Sequence, residues 1–132
     1  MNDPHCVKPD HFVIWWVVMK VQRVLVVDDD IDTTEALKFL LAQSGRDVRV
    51  AHRGDEAISI ARELQPDLAI LDLRLPDMCG TAVARELRRV AVQPLHVVAL
   101  SGCTQSLRDE PQLFDRALLK PVDAATLFRA IY

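Results

Sequence analysis

Nothing in this chain is apolar enough, basic enough or cysteine-rich enough for a membrane span, a nucleic-acid groove or a disulfide scaffold. Its longest apolar run, Phe12 to Met19, has eight residues, against the roughly 20 that a bilayer crossing needs. The 16 Lys plus Arg are outnumbered by 19 Asp plus Glu, for a formal charge of −3, and no basic run is long enough to follow a phosphate backbone. Nucleic acid is therefore not an expected partner. The three cysteines, Cys6, Cys79 and Cys103, are odd in number and scattered, with neither a CxxC pair nor a Cys/His metal spacing. They read as free thiols in a reducing compartment, which places the chain in the cytosol. Internal repeats and low-complexity tracts are also missing, which excludes solenoids and disordered tails.

What is present is globular. Half of the 132 residues are apolar and 27% are charged, a balance that supports one packed domain. Residues 1–20 stand apart as an N-terminal extension before a domain over 21–132. Met1 to His11 carries Asp3 and Asp10 against Lys8 alone, which is unlike a secretory leader. Two readings of the extension stay open: an upstream start codon, with Met19 as the true beginning, or a docking arm made adhesive by Trp15 and Trp16.

From Val21 onward two kinds of segment alternate. Short, β-branched apolar runs at Val24–Val27, Val48–Ala51, Leu68–Leu71, His96–Leu100 and Ala117–Leu119 have the length and composition of buried strands. Between them lie segments of helical period. The first spans Thr33–Ser44, with Asp32 and Glu35 in capping-box spacing and Gly45 as a stop. The second spans Asp55–Leu64 and ends at Pro66, and the third spans Thr81–Val90. Pro111 confines the fourth to about Gln105–Asp109. Asp123 can cap the last, Ala124–Ile131. Strands alternating with helices through short connections imply right-handed crossovers and a five-stranded parallel sheet covered on both faces, an α/β doubly wound domain. With Tyr132 as the last residue, no attached effector domain is expected.

In such a sheet, ligands bind beyond the carboxyl ends of the strands. Asp28, Asp29 and Asp30 follow the first strand, Asp72 ends the third, Ser101 the fourth, and Lys120 with Pro121 the fifth. Taken singly, each has an ordinary explanation: Asp caps or turns, Ser before Gly turns, and a terminal Lys is solvated. Jointly they put ionisable or hydroxyl groups at one end of four strands of five, which coincidence explains poorly.

VLVVDDD at 24–30, LDLRLPDMCG at 71–80, ALSG at 99–102 and LLKP at 118–121 resemble the receiver domain of two-component response regulators. The resemblance runs from about Val21 to Tyr132 and implies the flavodoxin-like strand order 2-1-3-4-5. It implies Asp72 as phosphoacceptor, with Asp28 and Asp29 as the acidic pair that holds Mg²⁺. The backbone carbonyl of Arg74 becomes a further metal ligand, Ser101 the switch hydroxyl and Lys120 the phosphoryl-binding cation. A cis bond before Pro121 is implied as well, and Pro76 and Gly80 would shape the loop after Asp72. Asp30 is read as a capping or solvated residue rather than a ligand. The charge chemistry agrees: three converging carboxylates need protonation or a cation, and a few carboxylate oxygens suit Mg²⁺ better than Ca²⁺ or Zn²⁺.

The implied function is phosphoryl acceptance from a histidine kinase or histidine phosphotransfer protein, with a possible downstream protein target, and no enzyme activity beyond self-catalysed transfer and autodephosphorylation. A phosphorylation-independent interaction module is the alternative. A phosphohydrolase with an aspartyl intermediate would need a second Asp where Arg74 stands, and an FMN carrier would need a Ser/Thr/Gly phosphate cradle where the acidic run stands. Three departures from the family pattern concern output, one of them Leu113, which stands near the usual glycine of the loop before the fifth strand. Ala117 occupies the position where a Tyr or Phe usually turns inward, and the Ser101 to Lys120 interval is about three residues short, which truncates the fourth helix. Arg74 and Cys103 flank the site and are expected to tune phosphoryl lifetime.

Overall fold

The computed structural model describes residues 22–102 and 111–131. The extension over residues 1–20, with its two tryptophans, lies outside them, as do Cys6, Cys103 and the short fourth helical segment. The elements in chain order are β1 (Arg23–Val27), α1 (Ile31–Gln43), β2 (Asp47–Ala51), α2 (Gly54–Leu64), β3 (Leu68–Asp72), α3 (Gly80–Val90), β4 (His96–Ser101), β5 (Arg116–Leu119) and α4 (Ala124–Ile131). A single 3-10 turn, Pro111–Leu113, precedes β5. The strands form one parallel sheet in the order β2-β1-β3-β4-β5. Among the described residues no helix is long and apolar enough to cross a membrane.

Period-two alternation sorts the strand side chains into two cores. Leu25, Val27, Ala69, Leu71, Val97 and Ala99 face α2 and α3, where Ala57, Ala61, Val83, Ala84 and Leu87 meet them. Val24, Val26, Leu68, Ile70, Val98 and Leu100 face the other way, against Leu41 of α1 and Leu127 and Ile131 of α4. Because β1, β3 and β4 are covered on both faces, they read as continuous apolar runs rather than as alternating ones. The fifth strand departs from expectation. β5 is an edge strand whose residues are exposed except for half-buried Leu118, and Leu119 keeps 56% of its surface. As the last strand of the sheet it has a paired neighbour, β4, along one edge only.

Helix ends differ from the sequence reading by local chemistry. α1 starts at Ile31, two residues early, because Asp30 caps it by accepting the Asp32 amide at 3.0 Å; Asp32 and Glu35 therefore form no capping box. Gly45, at φ +84°, donates its amide to the Ala42 carbonyl and turns the chain out of α1, as its place in the sequence implies. α2 and α3 begin at the glycines Gly54 and Gly80, one residue ahead of the expected starts. α2 closes on Gln65, in the left-handed region at φ +50°, just before Pro66. The Gln65 amide nitrogen donates to the Ala61 and Val90 carbonyls and its oxygen accepts the Val92 amide, so this side chain joins the ends of α2 and α3. Asp123 caps α4 through the Thr126 amide at 2.7 Å, as expected, and that bond holds its carboxyl below the usual carboxylate range.

Candidate functional site

The parallel register ends β1, β3, β4 and β5 at one edge: Val27 lies beside Leu71, Asp72 beside Leu100, and Ser101 beside Leu119. Each chain then leaves the sheet by a turn that its own polar residue stabilises. Asp28 continues the ladder for one bond, its amide donating to the Ala51 carbonyl, and its Oδ1 then accepts the Asp30 amide at 3.0 Å. This turn buries the Asp28 side chain and leaves Asp29 exposed. Asp30 receives the Thr33 hydroxyl as well as the Asp32 amide, and the Thr33 bond is the main reason its carboxyl sits below the usual range. Three successive aspartates thus take three roles, and the capping role expected for Asp30 is the one it has.

Asp72 repeats the Asp28 turn on the neighbouring strand: its Oδ1 accepts the Arg74 amide at 3.1 Å. In each case the i to i+2 bond fixes one carboxylate oxygen and leaves the other free. Those free oxygens meet one cation. Lys120 Nζ donates to Asp28 Oδ2 at 3.2 Å and lies 3.0 Å from Asp72 Oδ2. The two carboxylate side chains are 1% and 6% exposed and the lysine 35%. Burial works to lower the lysine's pKa, but the hydrogen bond to Asp72 and the charges of Asp28 and Asp72 outweigh it and hold the ammonium above its ordinary value. The Lys120 amide donates to the Ser101 carbonyl at 2.8 Å, which ties the end of β5 to the end of β4, and the Lys120–Pro121 peptide is cis. Ser101 itself is buried at this edge.

One oxygen each from Asp28, Asp29 and Asp72 lies within 4.8 Å of the other two. Oxygens bound to one ion at about 2.1 Å lie about 3.0 Å apart when adjacent and about 4.2 Å when opposite, so side-chain rotation must draw this set together around a cation. The donors are all hard oxygens, the set that suits Mg²⁺ and not Zn²⁺. Three carboxylates against one ammonium leave excess negative charge for such an ion to neutralise.

Around this centre the loop after Asp72 is tightly built. The Gly80 amide donates to the Leu73 carbonyl, and Arg74 and Cys79 form an antiparallel bridge. A Cβ on Gly80 would stand 2.5 Å from Leu73 Cα, so only glycine permits this closure, as its place in the motif implies. Cys79 is a free, exposed thiol whose pKa is lowered chiefly by its hydrogen bond with the Thr81 hydroxyl at 3.2 Å. Ala117 is exposed on β5. Beside Lys120 a cleft of about 460 Å³ opens between α1 and the β5–α4 connection, lined by Thr33, Leu37, Pro121, Val122 and Leu127.

Two anchoring residues escaped the sequence reading. Arg88 donates to the Leu113 and Leu95 carbonyls and to Asp115 Oδ2, fixing the start of β5. Asp77 receives the first two amides of α2. For Asp77 a signal existed: Arg53, just before α2, has no acceptor with which to cap it.

A family model described as the response regulator receiver domain matches residues 24–132. The DNA-binding response regulators MtrA of Mycobacterium leprae and Mycobacterium tuberculosis are each 46% identical over 86 residues, 65% of this chain and 37% of theirs. The chain therefore spans little more than a third of the length of those curated relatives. In three dimensions it is similar to a CheY-like receiver domain from Methylobacillus flagellatus, with a TM-score of 0.78 at 31% identity over 85% of this chain and 97% of the other. It is also similar to the BeF3-activated N-terminal receiver domain of Klebsiella pneumoniae RstA, with a TM-score of 0.72 at 25% identity over 83% and 94%.

Proposed function

The chain belongs to the response regulator receiver domain family, and from that premise we propose that it accepts a phosphoryl group on Asp72 from a phosphohistidine of a kinase or phosphotransfer protein. The observation that carries this reading is the pair of turn-held carboxylates, Asp28 and Asp72, bridged by Lys120 with Asp29 alongside. A carboxylate oxygen of Asp72 attacks phosphorus in line. The new bond is an acyl phosphate, and the bond that breaks runs from phosphorus to the donor nitrogen, which keeps the electron pair. Lys120 stays protonated through the neutral range and stabilises the charge spread over the transferring oxygens. Asp28, Asp29, Asp72 and the Arg74 carbonyl would hold Mg²⁺, whose double charge would offset the repulsion between the acidic side chains and the incoming phosphoryl group.

Ser101 then donates its hydroxyl to a phosphoryl oxygen. Its carbonyl is already bound to the Lys120 amide, so the end of β4 and the end of β5 respond together. Ala117 has no ring to turn inward, so we place the readout on the loops around Ser101 and Asp72 rather than on β5. Lys120, which contacts the Asp72 carboxylate, also lines the cleft, and we assign the phosphodonor to it. The cytosol, where histidine kinases present their phosphoryl groups, is the compartment this reading requires. Output through DNA, which the relatives' name describes, belongs to the whole of those proteins.

Intact-mass measurement after incubation with Mg²⁺ and a small phosphodonor tests the reading. One added phosphoryl group is expected, and none in Asp72→Asn. No addition at any donor concentration would leave the phosphorylation-independent interaction module as the better account.

A further inference from the structure

α2 begins without a cap of its own. Its N-cap residue is Arg53, whose side chain can accept none of the helix amides, so the first two need an acceptor from elsewhere. Asp77, in the middle of the loop after Asp72, supplies it: the Gly54 amide donates to Oδ1 at 2.7 Å and the Asp55 amide to Oδ2 at 2.9 Å. The Asp77 side chain is only 14% exposed, and the Gly54 and Asp55 amides hold its carboxyl below the usual range. A second observation shows how closely the loop is seated. A Cβ on Gly54 would lie 2.8 Å from Met78 Sδ, so the helix start is bare where the loop rests on it.

The loop is held at its base by the Asp72 carboxylate on the Arg74 amide, the Arg74–Cys79 bridge and the Gly80 amide on the Leu73 carbonyl. Asp77 holds its far end. We infer that Asp77 is a positioning residue of the phosphorylation site: by receiving the first two amides of α2, it fixes the loop that carries the Arg74 carbonyl toward the cation. The inference rests on the proposed function for the cation and on hydrogen bonds for the clamp. Ligands tolerate only about 0.5 Å of misplacement, so a loop released at its tip presents a worse carbonyl even though no carboxylate has changed.

The test compares the full chain with Asp77→Ala, Asp77→Asn and the double variant Arg53→Ser/Asp77→Ala, using titration calorimetry with Mg²⁺ alone, equilibrium unfolding without Mg²⁺, and amide exchange. The double variant returns a local cap to α2 without restoring the tether. Asp77→Ala is expected to weaken Mg²⁺ binding by roughly 3- to 10-fold, at or just below the roughly 10-fold minimum typical of side chains that hold a metal ligand directly. Asp77→Asn, which keeps one acceptor oxygen, is expected to fall between it and the parent. The double variant is expected to regain the unfolding midpoint but not the Mg²⁺ affinity, with the Arg74 and Gly80 amides still exchanging faster than in the parent. If the double variant regains both, or if Asp77→Ala leaves Mg²⁺ affinity and the Arg74 and Gly80 amides unchanged, Asp77 is a helix cap only and the inference falls. A parent chain that binds no Mg²⁺ would refute the proposed function instead, and amide exchange at Arg74 and Gly80 would then decide the clamp alone.

Discussion

Replacing Asp72, the proposed phosphoacceptor, should make the metal-free protein more stable. Asp72 faces two like-charged neighbours, with the ligand oxygens within 4.8 Å, and at an effective dielectric of about 20 each such repulsion is about 3.5 kcal/mol. Its attraction to Lys120 at 3.0 Å is about 5.5 kcal/mol on the same scale. Repulsion exceeds attraction by about 1–2 kcal/mol, and burial of the Asp72 charge acts in the same direction. Asn keeps the oxygen that accepts the Arg74 amide, so Asp72→Asn loses little geometry. In EDTA its midpoint should rise by roughly 3–8 °C. In Mg²⁺ the order should invert, because a site filled at 100 times its dissociation constant adds about 2.7 kcal/mol to the parent and much less to a variant that lacks one of the ligating carboxylates. Thermal unfolding of both proteins in EDTA and in Mg²⁺ gives all four midpoints. An Asp72→Asn protein less stable than the parent in EDTA, or equal stabilisation of both by Mg²⁺, would refute the crowded-carboxylate argument.

Other substitutions test the supports of the site. Gly80→Ala sets a Cβ against backbone and should cost about 1–3 kcal/mol or more, whereas Gly54→Ala meets only side chains, Met78 and the buried Val83, and should cost less; urea midpoints give the ranking. Cys79 sits at the N-cap of α3 without capping it, so Cys79→Asp should stabilise the protein by about 0.5–1 kcal/mol, read by thermal unfolding. Burial raises the Asp115 pKa, but the Val97 amide and Arg88 outweigh it and depress it below the ordinary value of 3.8. A depressed carboxylate stabilises the folded state above its unfolded pKa and loses that contribution as pH falls through its folded value. Asp115→Asn should therefore flatten the acid limb of the stability curve below about pH 4. Lys120 has the opposite sign: its raised pKa adds stability that is complete below 10.5 and lost above it, so Lys120→Met should remove the alkaline loss, read by unfolding between about pH 9 and 12.

Much of this was legible along the chain. The five strands, the doubly wound order and the acidic, hydroxyl and lysine residues at one sheet edge follow from short apolar runs punctuated by polar residues. Burial on both faces forces each central strand to be apolar throughout, and the groups that chemistry needs can appear only where a strand emerges. The exposure of β5 was not legible, because an edge strand with the composition Arg-Ala-Leu-Leu differs from a central one only in having fewer neighbours. The start of α1 was misjudged for a related reason: Asp30 and Asp32 are both plausible caps, and the choice depends on the turn that Asp28 makes beneath them.

Sequence alone determined the alternation of elements, the strand order through a family resemblance, and the identity of each acid and base at the carboxyl edge, since hydrophobic period and residue type are properties of the chain itself. Tertiary structure decided which oxygens meet. It set Asp28 and Asp72 on either side of Lys120, left Asp29 outside that bridge, and gave the cap of α2 to Asp77, 23 and 22 residues beyond the two amides it receives. Distances of a few ångströms between residues far apart in sequence follow from the packing of helices on the sheet, which no local pattern encodes.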